Sequence, residues 1–185
     1  MAQRLVVLSD MWGIRNGLWV TSYLGYLQQY YDIVYYDCQE LAQINVENET
    51  EENLHNAFVS GGIDIAVSEL LKKEKKSEPS RYLAFSIGGT IAYKAGLAGL
   101  PIKSLYAVSS TRVRKETEKP SFDTRFIYGA NDKFRPSDEW ATNLDLEIEV
   151  IDDFGHELYS DEKITKEICQ EFLTMVSMRK CKASA

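Results

Sequence analysis

The sequence is poor in the residues that build metal centres and disulfide frameworks. Of 185 residues, three are cysteine (Cys38, Cys169 and Cys181) and two are histidine (His55 and His156). The cysteines are odd in number, far apart and outside any CxxC or Cys/His ligand spacing, which excludes a disulfide scaffold and a zinc module and fits reduced thiols in the cytoplasm. No metal or organic cofactor is implied. Positive charge is in deficit, with 21 basic against 28 acidic residues and a net charge of -7, so nothing invites nucleic acid across the surface. No apolar run approaches the roughly 18 residues of a membrane span, and the opening MAQRLVVLSD reads as a first strand rather than a signal sequence. Internal repeats, low-complexity tracts and linkers are also missing, and the length suits one domain over residues 1–185.

What is present alternates between two periodicities. Short apolar or β-branched runs at residues 5–8, 31–38, 82–85, 102–108, 122–128 and 146–151 read as strands, the last with the alternation of a sheet edge. Helical spacing appears between them. Residues 17–30 carry Leu18, Trp19, Tyr23, Leu24 and Leu27 on one face, and residues 51–73 follow a cap at Thr50, with Gly61-Gly62 kinking or dividing that helix. Further helices are predicted over 87–97, over 135–144 with Pro136 near the first turn, and over 158–178. The charged run KKEKKSEP at residues 72–79 reads as a solvated connector. Strands separated by helices imply a parallel sheet covered on both faces, because right-handed crossovers place the helices there.

The most informative stretch is RYLAFSIGGTIAYKAGLAG, residues 81–99. The apolar strand stops at Ser86 and a helix begins at once, which places the serine at a helix N-terminus, where free N–H groups and the dipole favour negative charge. A turn that tight needs small residues two before and two after the serine. Ala84 and Gly88 stand there, with Gly89 behind.

In open parallel sheets functional groups collect in loops at the carboxyl ends of the strands. Three such loops carry Ser86, Asp132 in YGANDKFRP and His156 in DDFGHELY, in that order. A serine hydroxyl is a poor nucleophile at neutral pH and needs a base within reach, which His156 can supply, while a carboxylate on the other ring nitrogen fixes the tautomer. Asp132 is the first candidate for that acid; Asp152 and Asp153 are alternatives. His55, inside a helix and away from any strand end, reads as structural.

The Ala-x-Ser-x-Gly elbow, the serine, acid, histidine order, and the segments LVVLSDMWG and YDIVYYD ahead of them resemble the α/β-hydrolase superfamily along nearly the whole chain. The resemblance implies a three-layer α/β/α sandwich with a mainly parallel six-stranded sheet, a compact form lacking the family's first two strands. It has no cap domain, since residues 109–121 are too few for one. It further implies a serine hydrolase acting on a carboxylic ester or thioester, with Ser86, His156 and Asp132 catalytic and the N–H groups of Ile87 and Met11 as the oxyanion hole. Ser9-Asp10 stand where the family often has His-Gly, and an aspartate beside an oxyanion must point away or be paired, for instance with Arg15. Trp12 and Trp19 are candidates for lining the acyl pocket. Arg112, with Arg114 and Lys115, borders an open mouth suited to a substrate with an acidic group, either a small molecule or an acyl chain on an acidic carrier protein. The alternative reading is a hydrolase-like binding module that has lost turnover.

Overall fold

The sheet is organised around its first strand. In the computed structural model, which describes residues 2–183 with the side chains of Asn16 and residues 178–183 excepted, β1 (Gln3–Leu8) lies between β2 (Tyr31–Tyr36) and β3 (Ser80–Phe85). Beyond β3 follow β4 (Ile102–Val108), β5 (Asp123–Gly129) and β6 (Glu147–Ile151), giving the order β2-β1-β3-β4-β5-β6 with every neighbouring pair parallel. The predicted mainly parallel sheet is thus wholly parallel. β6 is the edge strand its alternation predicts.

Alternation along β1 divides the core. Leu5 and Val7 face one side, where α2 (Val20–Leu27) and α8 (Glu162–Ala183) pack through Val20, Tyr23, Ile164, Ile168 and Phe172. Val6 and Leu8 face the other, against α3 (Cys38–Leu41), α5 (Ile63–Glu74) and α6 (Ile87–Leu97) through Cys38, Ala66, Leu70, Ile91 and Ala95. The chain runs outward from β1 to β2, then returns to β3 on the opposite side. A right-handed crossover in each direction puts the helices on opposite faces, and the reversal leaves a crevice above β1 and β3.

Several predicted boundaries move, each for a local reason. The second strand stops at Tyr36 because Asp37 caps α3, accepting from the N–H groups of Gln39 at 2.8 Å and Glu40 at 3.4 Å. The helix expected over 17–30 starts only at Val20 and follows the short α1 (Gly13–Asn16), which leaves Leu18 exposed. The helix expected from Arg135 starts at Asp138 (α7, Asp138–Asn143), since Ser137 supplies the cap and Pro136 stays outside. Residues 158–178 divide into a 3-10 turn (Leu158–Ser160) and α8, with Asp161 capping α8 through the Lys163 and Ile164 N–H groups. The break foreseen at Gly61-Gly62 is present: α4 (Glu51–Ala57), capped by Thr50, is joined to α5 by a π-helical turn (Phe58–Gly62) in which Gly61 takes φ 129°. Cys38 and Cys169 are free and buried, while the side chain of Cys181 lies outside the described residues. No helix among the described residues is long and apolar enough to cross a membrane.

The charged run 72–79 is not wholly solvated. Glu74 is 2% exposed and receives both Arg4 Nη1 at 2.7 Å and Arg4 Nη2 at 2.6 Å, together with the Tyr36 hydroxyl at 2.5 Å. Burial pushes its carboxyl up, but the Arg4 and Tyr36 bonds outweigh burial and hold it below the ordinary value. The bidentate pair ties the end of α5 to β1. Glu74→Ala would strand a half-buried guanidinium and is expected to lower unfolding free energy by about 3 kcal/mol, measured by urea denaturation at pH 7.

Candidate active site

Ser86 sits where β3 turns into α6, and its backbone is in a region that L-residues rarely enter, φ 47° and ψ −117°. Such strain persists only where the surroundings enforce it. The β3 and β4 strands hold the serine from one side, with the Ser86 N–H donating to the Val108 carbonyl at 2.8 Å. On the other side α6 approaches so closely that a Cβ on Gly88 would overlap the Ser9 carbonyl oxygen, and one on Gly89 would overlap the Ser110 hydroxyl. Only glycine fits at either position.

The structure brings Ser86, His156 and Asp132 together. Ser86 Oγ lies 2.8 Å from His156 Nε2, and His156 Nδ1 lies 2.7 Å from Asp132 Oδ2. Asp132 is buried, and its second oxygen accepts the Phe134 N–H at 3.0 Å, so both carboxylate oxygens are occupied. Asp152 and Asp153 are exposed turn residues beyond β6, and neither meets the imidazole. The loops that carry Asp132 and His156 are joined through backbone: the Asn131 N–H donates to the Phe154 carbonyl at 2.8 Å, and a Cβ at Gly129 would overlap that same carbonyl. The His156 ring stands edge-on to Tyr159, with centroids 6.2 Å apart.

Beside the serine runs the loop that leaves β1, and Leu8 pairs with Ala84 so that both chains exit the sheet at one level. The Asp10 carbonyl accepts the Ser9 hydroxyl at 2.8 Å, which sends the Met11 N–H of the same trans peptide the opposite way. Neither the Met11 N–H nor the Ile87 N–H has a partner among the described residues, and Ile87 opens α6, where no helical carbonyl is available to it. Asp10 does not pair with Arg15, which meets Glu49 at 3.2 Å instead. Its carboxylate turns back into its own loop, accepting the Trp12 N–H at 2.9 Å and the Tyr159 hydroxyl at 3.2 Å, and lines a separate hollow behind Tyr159.

A cleft of about 310 Å³ opens over Ser86 and His156. Met11, Trp12, Phe58, Phe134 and Tyr159 give it apolar surface. Of the three basic residues expected at its mouth, Arg112 and Arg114 reach it from the 3-10 turn Thr111–Lys115, whereas Lys115 does not. Trp19 is not on this cleft. It packs edge-on against Phe85 and Tyr23 behind the site. His55 corrects its reading as a remote structural residue: it is exposed on α4, and with Glu51 one turn earlier it forms part of the cleft wall. Sequence reasoning also missed Thr90. The signal for both was spacing, since Glu51 and His55 stand four apart on one helix, as do Ser86 and Thr90 across the start of α6. Among the described residues no group of three or more His, Cys, Asp or Glu is placed to hold a metal ion.

No protein family and no curated protein sequence matches the chain. Solved structures do. An alpha/beta hydrolase enzyme, MGS-MChE2, from the metagenome of lagoon sediments at Mar Chica, Morocco, superposes with a TM-score of 0.63 at 19% identity, covering 97% of this chain and 93% of its own. Alpha/beta hydrolase domain-containing protein 10 from mouse gives a TM-score of 0.64 at 11% identity, over 94% and 89% of the two chains. Est1E from Butyrivibrio proteoclasticus, in a structure with ferulic acid bound, gives 0.63 at 10% identity over 95% and 90%. The chain has the α/β-hydrolase fold. Coverage of about nine-tenths of each neighbour leaves little room in this α/β-hydrolase fold for inserted elements, in keeping with the single short turn that joins β4 to β5.

Asp10 gives this site a measurable pH signature. Burial, opposed by the bonds from Trp12 N–H, the Tyr159 hydroxyl and the Gly13 N–H, raises its carboxyl from the ordinary value of 3.8 to about 6. Below about pH 4 the group is neutral folded and unfolded; between about 4 and 6 the unfolded chain releases the proton while the folded chain keeps it, so stability falls as pH rises and levels off above about 6. The full effect is roughly 3 kcal/mol. Asp10→Asn stays neutral throughout, so its melting temperature relative to the unsubstituted protein should climb between pH 4 and 7; a flat difference would mean the carboxylate is not strained.

Proposed function

We propose that the protein is a serine hydrolase that cleaves a carboxylic ester or thioester through an acyl-enzyme. The observation that carries this reading is the continuous chain from Ser86 Oγ to His156 Nε2 at 2.8 Å and from His156 Nδ1 to the buried Asp132 carboxylate at 2.7 Å, set at a helix N-terminus on the floor of a cleft. In this scheme the neutral imidazole takes the Ser86 proton as Oγ attacks the substrate carbonyl, and Asp132 stabilises the imidazolium that results. The developing oxyanion is met by the two unpartnered N–H groups, Ile87 at the head of α6 and Met11 in the β1 loop. Collapse of the tetrahedral intermediate expels the alcohol or thiol, which leaves with the proton from His156. Water, deprotonated by the same histidine, then releases the acid and restores Ser86. Asp10 does not oppose the oxyanion in this scheme, because its carboxylate is directed at Trp12 N–H and Tyr159. Trp12, Phe58 and Phe134 supply apolar surface for an acyl or alcohol group. Apart from that water, every step of the scheme uses the chain's own side chains and backbone N–H groups. The free buried thiols of Cys38 and Cys169 suit a reducing compartment, and we place the reaction in the cytoplasm.

Exposure to a fluorophosphonate probe followed by intact-mass spectrometry is expected to give one adduct, absent from Ser86→Ala. On an activated ester panel, Ser86→Ala and His156→Ala are each expected to lose about 10⁴-fold or more in kcat with melting temperature little changed. Turnover that survives either substitution would overturn the mechanism. A protein that neither labels nor turns over would be a binding module on a hydrolase fold.

A further inference from the structure

The lining of the cleft over Ser86 includes two polar groups without a protein partner among the described residues. Thr90, one turn into α6 from Ser86, is 2% exposed and lines the cleft, yet its hydroxyl has no hydrogen-bond partner. A buried hydroxyl left unpaired calls for a partner, and of the four such hydroxyls among the described residues (Tyr35, Thr90, Ser109 and Ser110) Thr90 is the one that lines this cleft. Arg112 lines the same cleft, is half-buried, and has no ion pair or hydrogen bond among the described residues. Its neighbour Arg114 shows the contrast: that guanidinium donates to the Thr111 carbonyl at 2.7 Å and lies over the Phe134 ring at 5.8 Å. The two unpaired groups belong to segments in direct contact, since Gly89, next to Thr90, has no space for a Cβ beneath Ser110, two residues before Arg112.

We propose that Arg112 and Thr90 form a carboxylate-binding subsite, so that the ester or thioester cleaved at Ser86 itself carries a carboxylate. This deepens the hydrolase reading and rests on it for the reaction, though not for the binding. A planar carboxylate can take two parallel N–H bonds from a guanidinium and keep a lone pair for a hydroxyl donor. Two acids, Glu51 on α4 and Glu157 beside His156, also line the cleft, are exposed, and bond to neither group. Their charge opposes a doubly charged phosphate more than a singly charged carboxylate, which sets the ligand class. A volume of about 310 Å³ holds a short acyl chain with its carboxylate on this wall.

The test compares anionic and neutral esters of matched chain: mono-p-nitrophenyl glutarate against p-nitrophenyl valerate for a carboxylate on the acyl side, and 4-acetoxybenzoate against its methyl ester for one on the alcohol side. One of the anionic esters is expected to be preferred in kcat/KM, and Arg112→Gln should cut that anionic-to-neutral ratio about tenfold, with Arg112→Lys restoring part of it and Thr90→Val lowering it severalfold. Equal turnover of both pairs, or a preference that survives Arg112→Gln, would overturn the subsite while leaving the hydrolase reading intact. Calorimetric binding of glutarate to Ser86→Ala, lost on adding Arg112→Gln, reads the subsite without turnover. Binding of that kind in a protein that hydrolyses no ester would sustain the subsite and sink the hydrolase reading, and absence of glutarate binding would count against the subsite.

Discussion

The backbone of Ser86 is the constraint around which the rest is arranged. A non-glycine residue at φ 47° and ψ −117° is held only because strand and helix press on it from both sides. That pressure requires side-chain volume to vanish nearby. Gly88 lies against Ser9, Gly89 against Ser110, and Ala84 is buried in the strand behind. Because β1 and β3 are neighbours at the point where strand order reverses, the same crowding also fixes the β1 loop beside the serine. One local strain therefore sets both the position of the hydroxyl and the distance to the Met11 amide loop.

A second crowded contact does the equivalent work on the other side of the cleft. Gly129 lies under Phe154, and Asn131 donates to the carbonyl of that same residue. The loops that end β5 and β6 and carry Asp132 and His156 are consequently tied to each other. Behind them Trp19, Tyr23, Phe85 and Tyr159 form a cluster of tilted and edge-on rings. Tyr159 connects this apolar body to polar parts, touching His156 with its ring and Asp10 with its hydroxyl.

What the sequence made legible follows from how each feature is encoded. Strands such as residues 5–8 and the small-x-Ser-x-Gly elbow are written in adjacent residues, and both could be read. The serine, aspartate and histidine could be read because each follows a strand, and parallel topology delivers strand ends to one edge. Capping was harder. Asp37 and Ser137 end one element and begin another in ways that hydropathy does not distinguish, so boundaries shifted by a few residues. Hardest were partnerships across distance: Glu74 in a run of lysines looks solvated until Arg4 and Tyr36 are seen to meet it, and His55 looks remote until α4 is seen to fold over the cleft.

The π-helical turn between α4 and α5 has a consequence for how the cleft is built. Gly61 takes φ 129° with open space around it, so helical continuity is broken between a wall of the cleft and a helix bolted to the sheet by Glu74 and Arg4. α4 keeps its own buried anchor, Leu54, and Phe58 is buried where the turn begins. Glu51 and His55 thus line the cleft from a helix set apart by a kink from the one tied to the sheet. The wall of the cleft and the scaffold beneath it are thereby mechanically distinct, one lying on each side of the kink.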